Sequence, residues 1–222
     1  MRRIQNFWLS QTCAEYNSSA RTIHLVHWMQ QIAMSPDLIR DAIRIADDEM
    51  VHSQLCYAVA AEAGSTTGLP HDELSLSLTE NFEDLRKSFL YVLVESYCFG
   101  ETVAVPLFSA MRKQTQTPSA LTAYNRVLED EPRHAAFGWL ALAWCDEIWP
   151  ETRSWLAEIV PDALSSMRRA YSASDDEEYQ PPLSETELAW GMMPKVRYQE
   201  VLEKTIKGTF TERLRHYDVK PV

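Results

Sequence analysis

Residues 47–56 read DDEMVHSQLC, and residues 129–138 read EDEPRHAAFG. Each stretch contains a Glu-x-x-His motif that directly follows an aspartate. Residues three apart on an α-helix lie on one face, so each motif places a carboxylate beside an imidazole. The two motifs are eighty-two positions apart. They comprise, in chain order, Asp48, Glu49 and His52, and then Asp130, Glu131 and His134.

The composition places these motifs in a helical protein. The chain has 222 residues, of which 45% are hydrophobic, and this suffices for one domain with a large core. Glycine is scarce, with 6 residues, and long stretches are rich in Ala, Leu, Glu, Arg and Met. The sequence therefore predicts an all-α fold and a single domain over residues 1–222.

Charge and cysteine content exclude several classes of protein. A formal net charge of -11 is the opposite of the basic footprint of a nucleic-acid binder. The four cysteines form no CxxC pair, which excludes a zinc ribbon or a rubredoxin-type iron site and favours reduced thiols. No run of ~18 apolar residues or signal-peptide pattern occurs. A soluble cytoplasmic protein that binds neither membrane nor nucleic acid is expected.

Helix-breaking residues divide the chain into six predicted helices. Pro36 suits a first helical turn, whereas Pro106 and Pro161 are expected to bend the helices that contain them. Two loops are predicted from composition, at residues 64–72 and, for an acidic segment, at residues 172–182. The predicted helices cover about residues 9–33, 37–63, 82–113, 119–148, 151–171 and 184–217.

A binuclear metal site built on two Glu-x-x-His motifs needs one more carboxylate from each of two other helices. On the first predicted helix, Glu15 is the only acidic residue. On the third, the candidates are Glu95 and Glu101. Glu131 lies about a dozen residues after the start of its helix, as Glu101 lies before the end of its own. Glu95 would sit about 9 Å too far along the axis, so Glu101 is predicted.

Further residues are candidates for supporting roles. Asp48 and Asp130 could each accept a hydrogen bond from the ligand histidine of the opposite helix and fix its tautomer. Arg133 could neutralise one of these carboxylates, and Tyr97 lies one turn before Glu101.

Small side chains flank the predicted ligands, at Ser19 and Thr22 near Glu15 and at Gly138 near Glu131, and are expected to leave room for metal, oxygen and substrate. Structural roles are expected for Glu95, His24 and His27, although each stays open as a candidate.

The order of these motifs resembles the ferritin-like di-iron carboxylate superfamily: a Glu, about thirty residues, Asp-Glu-x-x-His, and the same again. The likeness covers about residues 9–148. It is similar to the oxygen-activating branch, which includes bacterial multicomponent monooxygenases and aminobenzoate N-oxygenases. DEPRH at residues 130–134 especially resembles the monooxygenases, whereas Val127 stands where the N-oxygenases carry an additional His ligand. The resemblance implies a ferritin-like four-helix bundle, with residues 149–222 as additional helices that close it.

The same resemblance implies a non-haem di-iron oxygenase or oxidase. Such an enzyme activates dioxygen, its co-substrate, to oxidise a small organic molecule by hydroxylation, N-oxygenation, desaturation or oxidative cleavage. The cofactor would be two iron ions, or manganese with iron. A separate reductase or ferredoxin would supply electrons, and a homodimer is expected. The implied metal-binding and catalytic residues are Glu15, Glu49, His52, Glu101, Glu131 and His134.

Other classes of function remain open. The chain could be a ferroxidase, an iron-handling protein or a peroxide scavenger of the ferritin type, with which an acidic composition is compatible. It could also be a non-catalytic helical scaffold in which the Glu and His residues are incidental. An RNA-modifying di-iron hydroxylase fits a charge of -11 poorly.

Overall fold

The structure of the protein, a computed structural model, describes residues 1–68, 76–172 and 181–221. All regular elements in these ranges are helical, so the all-α prediction is confirmed. In chain order the helices are α1 (Arg2–Gln31), α2 (Pro36–Glu62), α3 (Leu85–Gln114), α4 (Pro118–Ile148), α5 (Thr152–Tyr171), α6 (Glu185–Ala189) and α7 (Lys195–Thr205). Helix α7 continues through a π-helical turn, Ile206–Phe210, into a last segment, Thr211–Arg215.

The first five predicted helices are confirmed to within a few residues, apart from an earlier start of α1. Their ends follow local signals: Pro36 lies in the first turn of α2, and the Asp84 side chain caps α3 by accepting from Arg86 N at 2.8 Å. Helices α3 and α5 continue through Pro106 and Pro161. Parts of the two predicted loops, residues 69–75 and 173–180, lie outside the described residues.

The prediction of one last helix over residues 184–217 is wrong. Helix α6 ends at Ala189, and α7 begins only after Pro194. Between them Gly191 has a φ of +91°, a conformation that side-chain-bearing residues rarely adopt. A Cβ at Gly191 would lie 2.5 Å from the Tyr124 ring, whose hydroxyl donates to Gly191 O at 2.9 Å. The buried tyrosine thus takes the place that a continuous helix would need.

Helix α3 contains a nine-residue π-helical segment, Leu93–Glu101. π-Helical segments are rare in proteins, and those that occur are often found at functional sites. Among the described residues, α3 is also the one helix long and apolar enough to cross a membrane, since its most apolar stretch of 18 residues has a mean hydropathy of 1.2. Half of that stretch is buried within the protein, as in a core helix. The cytoplasmic location stays a prediction.

The chain divides into two compact units, and the prediction of a single domain stays untested. The first unit contains Met1–Asn81, Phe108–Asp130 and Leu183–Met192. Within it α1 packs along α2. Trp8 is fully buried, lies 5.1 Å from the Tyr124 ring and donates through Nε1 to Trp190 O at 3.0 Å.

The second unit contains Phe82–Leu107, Glu131–Pro182 and Met193–Val222, as far as these are described. Helix α5 packs against the π-helical segment of α3 and against α7. The Phe99 ring, in the π-helical segment, stacks on Phe210 with 4.4 Å between centroids. The C-terminal helices predicted to be additional elements therefore contribute to the core of this unit.

Candidate metal centre

The first cluster of potential ligands lies in the first unit, where α1 and α2 bring Glu15, Glu49 and His52 together. One ligand atom of each residue lies within 4.8 Å of those of the other two. His52 Nδ1 is 3.5 Å from Glu49 Oε2 and 3.9 Å from Glu15 Oε2. The three side chains are buried, with 7% of Glu15, 1% of Glu49 and none of His52 exposed. The cluster offers a cation two carboxylates and one imidazole.

Two hydrogen bonds join α1 to α2 on either side of this cluster. Ser19 Oγ, one turn after Glu15, donates to Ala46 O at 2.7 Å. Ser53 Oγ, next to the ligand histidine, donates to Thr12 O at 3.0 Å. Both hydroxyls are buried, so breaking either bond would leave an unsatisfied hydroxyl in the core. These bonds fix the register in which the α1 carboxylate faces the α2 pair.

The orientation of His52 is set by Asp130, one of the two aspartates expected to do so. His52 Nε2 lies 3.0 Å from Asp130 Oδ2. A carboxylate only accepts, so His52 donates from Nε2 and, when neutral, presents the lone pair of Nδ1 to Glu15 and Glu49. This is the arrangement that metal-bound histidines usually have.

The guanidinium of Arg126 pairs with Asp130 in turn, and the sequence did not lead us to predict Arg126 as a site residue. Arg126 Nη2 lies 3.2 Å from Asp130 Oδ2 and 3.1 Å from Asp48 Oδ1. It thus pairs with both buried aspartates, whereas the expected role of Arg133 in neutralising one of them stays a prediction. The signal was present, since Arg126 and Asp130 are four apart on one helix.

The second cluster lies in the second unit, where α3 and α4 bring Glu101, Glu131 and His134 together. Their ligand atoms also lie within 4.8 Å of one another. His134 Nδ1 is 3.9 Å from Glu131 Oε1. Glu131 and His134 are buried, whereas Glu101 is partly exposed. The two clusters have the same composition, each with two glutamates and one histidine.

The π-helical segment of α3 ends at Glu101, and α4 approaches it closely. A Cβ at Gly138 would lie 2.6 Å from Tyr97 C and 2.7 Å from Cys98 N. Trp139 Nε1 donates to the hydroxyl of Thr102, the residue after Glu101, at 2.9 Å. The space beside Gly138 is therefore filled by backbone, and the prediction that it leaves room for a substrate is wrong.

The other candidates lie outside the two clusters. The Tyr97 ring packs edge-on against Phe137, with 5.3 Å between centroids. His24 accepts a hydrogen bond from Leu78 N at 3.0 Å through Nδ1, which is a structural role. Glu95 and His27 are likewise absent from both clusters, and His27 is exposed.

Two protonated groups near the clusters were also not predicted as site residues. Burial, together with the charges of Glu101 and Glu131, raises the pKa of Tyr171, at the end of α5, to about 12. Burial raises the pKa of the Cys56 thiol well above its usual range, and the charges of Glu15 and Glu49 add to that shift. Both groups therefore stay protonated at neutral pH.

The donor chemistry of both clusters fits a metal ion. Buried carboxylates that lie within a few ångströms of one another repel unless protons or a cation compensate their charge. A bound divalent ion provides that charge. Carboxylate oxygens with a neutral imidazole suit iron or manganese, whereas the thiolate ligands typical of structural zinc are absent from both groups.

Comparisons with protein-family models, with curated proteins and with solved structures found no match for this chain. The likeness to the di-iron superfamily is carried by the order and spacing of the motifs. The capacity to bind metal is carried by the two buried clusters.

Proposed function

We propose that each cluster binds one iron ion and that the protein is a non-haem di-iron oxygenase or oxidase acting on a small organic molecule. The observation that carries the proposal is the repeated ligand set: a glutamate from one long helix with a Glu-x-x-His pair from the next, twice in one chain. A repeated buried carboxylate–imidazole set is what a pair of oxygen-activating metals requires. Manganese with iron would use the same ligands.

A ferritin-like bundle is part of this proposal. The ligands follow one another along four long helices, α1 to α4, in the order that this fold uses. Asp130 orients His52, and the next residue in the chain is the ligand Glu131. The aspartate that supports the first ligand set, Asp130, is thus joined by a peptide bond to a ligand of the second set, Glu131.

The chain's own residues would perform distinct tasks around such a centre. When bound, the metal ions would supply the electrons that reduce dioxygen. The buried glutamates and histidines would hold them and exclude bulk water. Asp130, supported by Arg126, accepts a hydrogen bond from His52 Nε2 and so holds the proton on that nitrogen. The other ring nitrogen, Nδ1, would then be the atom that binds the metal. Tyr171, whose pKa is raised by burial and by the charges of Glu101 and Glu131, would keep its phenolic proton at neutral pH.

Iron handling is the second candidate function. It is favoured by the net charge of -11, which attracts cations, and it uses the same ligand types. The number of iron ions taken up per chain separates the two functions. A catalytic centre holds two, whereas storage takes up many more.

The test is a metal count on protein expressed with excess iron, combined with oxygen consumption. We expect two irons per chain and, on adding oxygen to the reduced protein, a transient visible absorption. Glu131→Gln should lower the iron content and abolish that absorption. Glu129→Gln is the matched control, because Glu129 is an exposed glutamate two residues earlier on α4.

Three other results would each reject the proposal. Less than half a metal ion per chain, unaffected by Glu131→Gln, would favour a non-catalytic scaffold. Uptake far above two irons per chain would favour iron storage. Zinc as the only tightly bound metal after loading with iron would exclude oxygen activation.

A further inference from the structure

We infer that Arg126 is a positioning residue of the first cluster: through Asp130 it fixes the ring of His52, and so it sets how tightly this cluster binds a metal ion. The inference rests on the proposed function, since it concerns metal affinity at the same site. Arg126 lies on α4 outside both Asp-Glu-x-x-His motifs, and the arginine within the second motif, Arg133, is a different residue. The motifs themselves therefore assign Arg126 no role.

One nitrogen of Arg126 contacts carboxylates on two helices. Nη2 lies 3.1 Å from Asp48 Oδ1, on α2, and 3.2 Å from Asp130 Oδ2, on α4. Nη1 of the same guanidinium donates to Asp130 Oδ1 at 3.4 Å. Because the guanidinium is planar, donors on both of its terminal nitrogens hold the Asp130 carboxylate in one orientation. Asp48 directly precedes the ligand Glu49, so the same group also anchors the α2 turn that carries this ligand.

The orientation of Asp130 is passed to His52 through a shared oxygen. Asp130 Oδ2, which accepts from Arg126, also accepts from His52 Nε2 at 3.0 Å. A carboxylate oxygen can accept two hydrogen bonds, so the two donors do not compete. While Arg126 holds this oxygen in place, the imidazole keeps its proton on Nε2 and turns Nδ1 towards Glu49 Oε2, 3.5 Å away. Without Arg126 the carboxylate could rotate, and the ring could turn with it.

The charge and the position of Arg126 have opposite effects on metal binding. The Asp48 and Asp130 side chains are each 10% exposed and need a compensating cation, whereas the Arg126 side chain is 35% exposed. The positive charge repels a metal ion at the cluster, although solvent screens this repulsion. Charge alone therefore predicts tighter metal binding when Arg126 is removed. Positioning predicts weaker binding, and its larger effect on metal affinity should dominate.

Metal affinity is measured by competition with a chelator for ferrous iron in the absence of oxygen. A Glu131→Gln background removes a ligand of the second cluster, so that the first cluster is titrated. In this background Arg126→Gln should weaken binding about tenfold. The matched control is Arg44→Gln, which removes the same charge from an exposed position one turn before Asp48. It should change the affinity less than about twofold.

Arg126→Lys separates positioning from folding stability. Lysine keeps the charge but presents a single ammonium group, which cannot hold both oxygens of Asp130 together with Asp48. The urea midpoint should fall in Arg126→Gln, because two buried aspartates lose their cation, and should be largely restored in Arg126→Lys. The affinity for iron should stay about fivefold below that of the parent. An affinity that returned together with the urea midpoint would show that Arg126 acts on folding alone, and would overturn the inference.

The tautomer of His52 is measured on the metal-free chain at pH 8, by long-range proton–nitrogen NMR of isotope-labelled histidines. We expect one tautomer, with the proton on Nε2, in the parent and in Arg44→Gln. Arg126→Gln should bring the two ring-nitrogen shifts closer together, because the proton then exchanges between Nε2 and Nδ1. His52→Gln identifies the signals of this ring among those of the 6 histidines.

Failure of this inference can be distinguished from failure of the proposed function. A chain that binds two irons, and whose affinity for iron is equal or higher in Arg126→Gln, would overturn the positioning role and leave the metal centre intact. An unchanged His52 tautomer in that variant would overturn it as well. A chain that binds no iron would refute the proposed function, and the NMR comparison would then decide by itself whether Arg126 fixes His52.

Discussion

His52 Nε2 donates to Asp130 Oδ2 across 3.0 Å, and Asp130 directly precedes Glu131 in the chain. The aspartate before the second Glu-x-x-His motif therefore orients the histidine of the first. This relationship gives a reason for the aspartate in the second Asp-Glu-x-x-His sequence. It also predicts which substitution should weaken metal binding without touching a ligand.

Asp130→Asn should reduce the affinity for ferrous iron about 10–100-fold, because the neutral amide no longer fixes the His52 tautomer as strongly. Competition against a chelator of known affinity measures this. Glu129→Gln, which removes one negative charge from an exposed neighbour, is the control. Equal affinities in the two variants would show that overall charge, rather than the hydrogen bond, determines binding.

Gly138→Ala should destabilise the protein, although alanine normally favours a helix. The new Cβ would lie 2.6 Å from the Tyr97 carbonyl carbon, which cannot move away as a side chain could. A loss of about 2 kcal/mol in the free energy of unfolding is expected from such overpacking. Urea denaturation measures it.

Gly208→Ala provides the matched comparison for that substitution. No atom lies within 4 Å of a Cβ at Gly208, so the ordinary gain from replacing a helical glycine should appear, up to about 1 kcal/mol. Changes of the same sign at the two positions would contradict the close approach of α4 to the π-helical segment.

Native thiol labelling should detect one fast-reacting cysteine out of four. Cys13 is partly exposed, whereas Cys56, Cys98 and Cys145 are buried. Burial raises the pKa of all four thiols, and most strongly for these three, so least thiolate forms at the buried positions at pH 8. Cys13→Ser should abolish the fast phase, and urea should restore reaction of the other three. A second fast thiol in the native protein would contradict this packing.

Stability should fall as the pH rises above about 10, and Tyr91 contributes to this loss. Burial, together with the charge of Glu95 and the hydrogen bond to Asp162, raises the pKa of Tyr91 to about 12. The unfolded chain loses this proton near pH 10, before the folded one does. The contribution is therefore complete below pH 10 and is lost as the pH rises towards 12.

Tyr91→Phe should make the dependence of unfolding free energy on pH shallower between pH 10 and 12. Tyr57→Phe, at an exposed tyrosine of α2, is the control for loss of a hydroxyl. Urea denaturation at several pH values compares them. An unchanged slope in Tyr91→Phe would show that other groups account for the alkaline loss.

Most helices were predictable because their signals are local. A proline in the first turn marks the start of α2, and the scarcity of glycine favours helix in the segments next to it. Neither signal depends on which other helices pack nearby. The spacing within Glu-x-x-His likewise places the two side chains on one face before any packing is considered. The choice of Glu101 over Glu95 rested on helix length, and the structure groups Glu101, rather than Glu95, with Glu131 and His134.

Features that depend on distant contacts could not be predicted. The break at Gly191 arises because Tyr124, sixty-seven positions earlier, occupies the space beside it. The small residue Gly138 was predicted to leave open space, whereas the backbone of α3 fills the space beside it. The pairing of Arg126 with Asp48 joins residues seventy-eight positions apart.

The sequence alone determined the helical class, the approximate bounds of the first five helices and the six candidate ligands, because periodicity, caps and motif spacing act within one or two turns. The tertiary structure decided which side chains support those ligands. It joined His52 to Asp130 and Arg126, ended a π-helical segment at Glu101, and connected Trp139 to Thr102. These contacts join separate helices, and only the packing of those helices sets the distances between them.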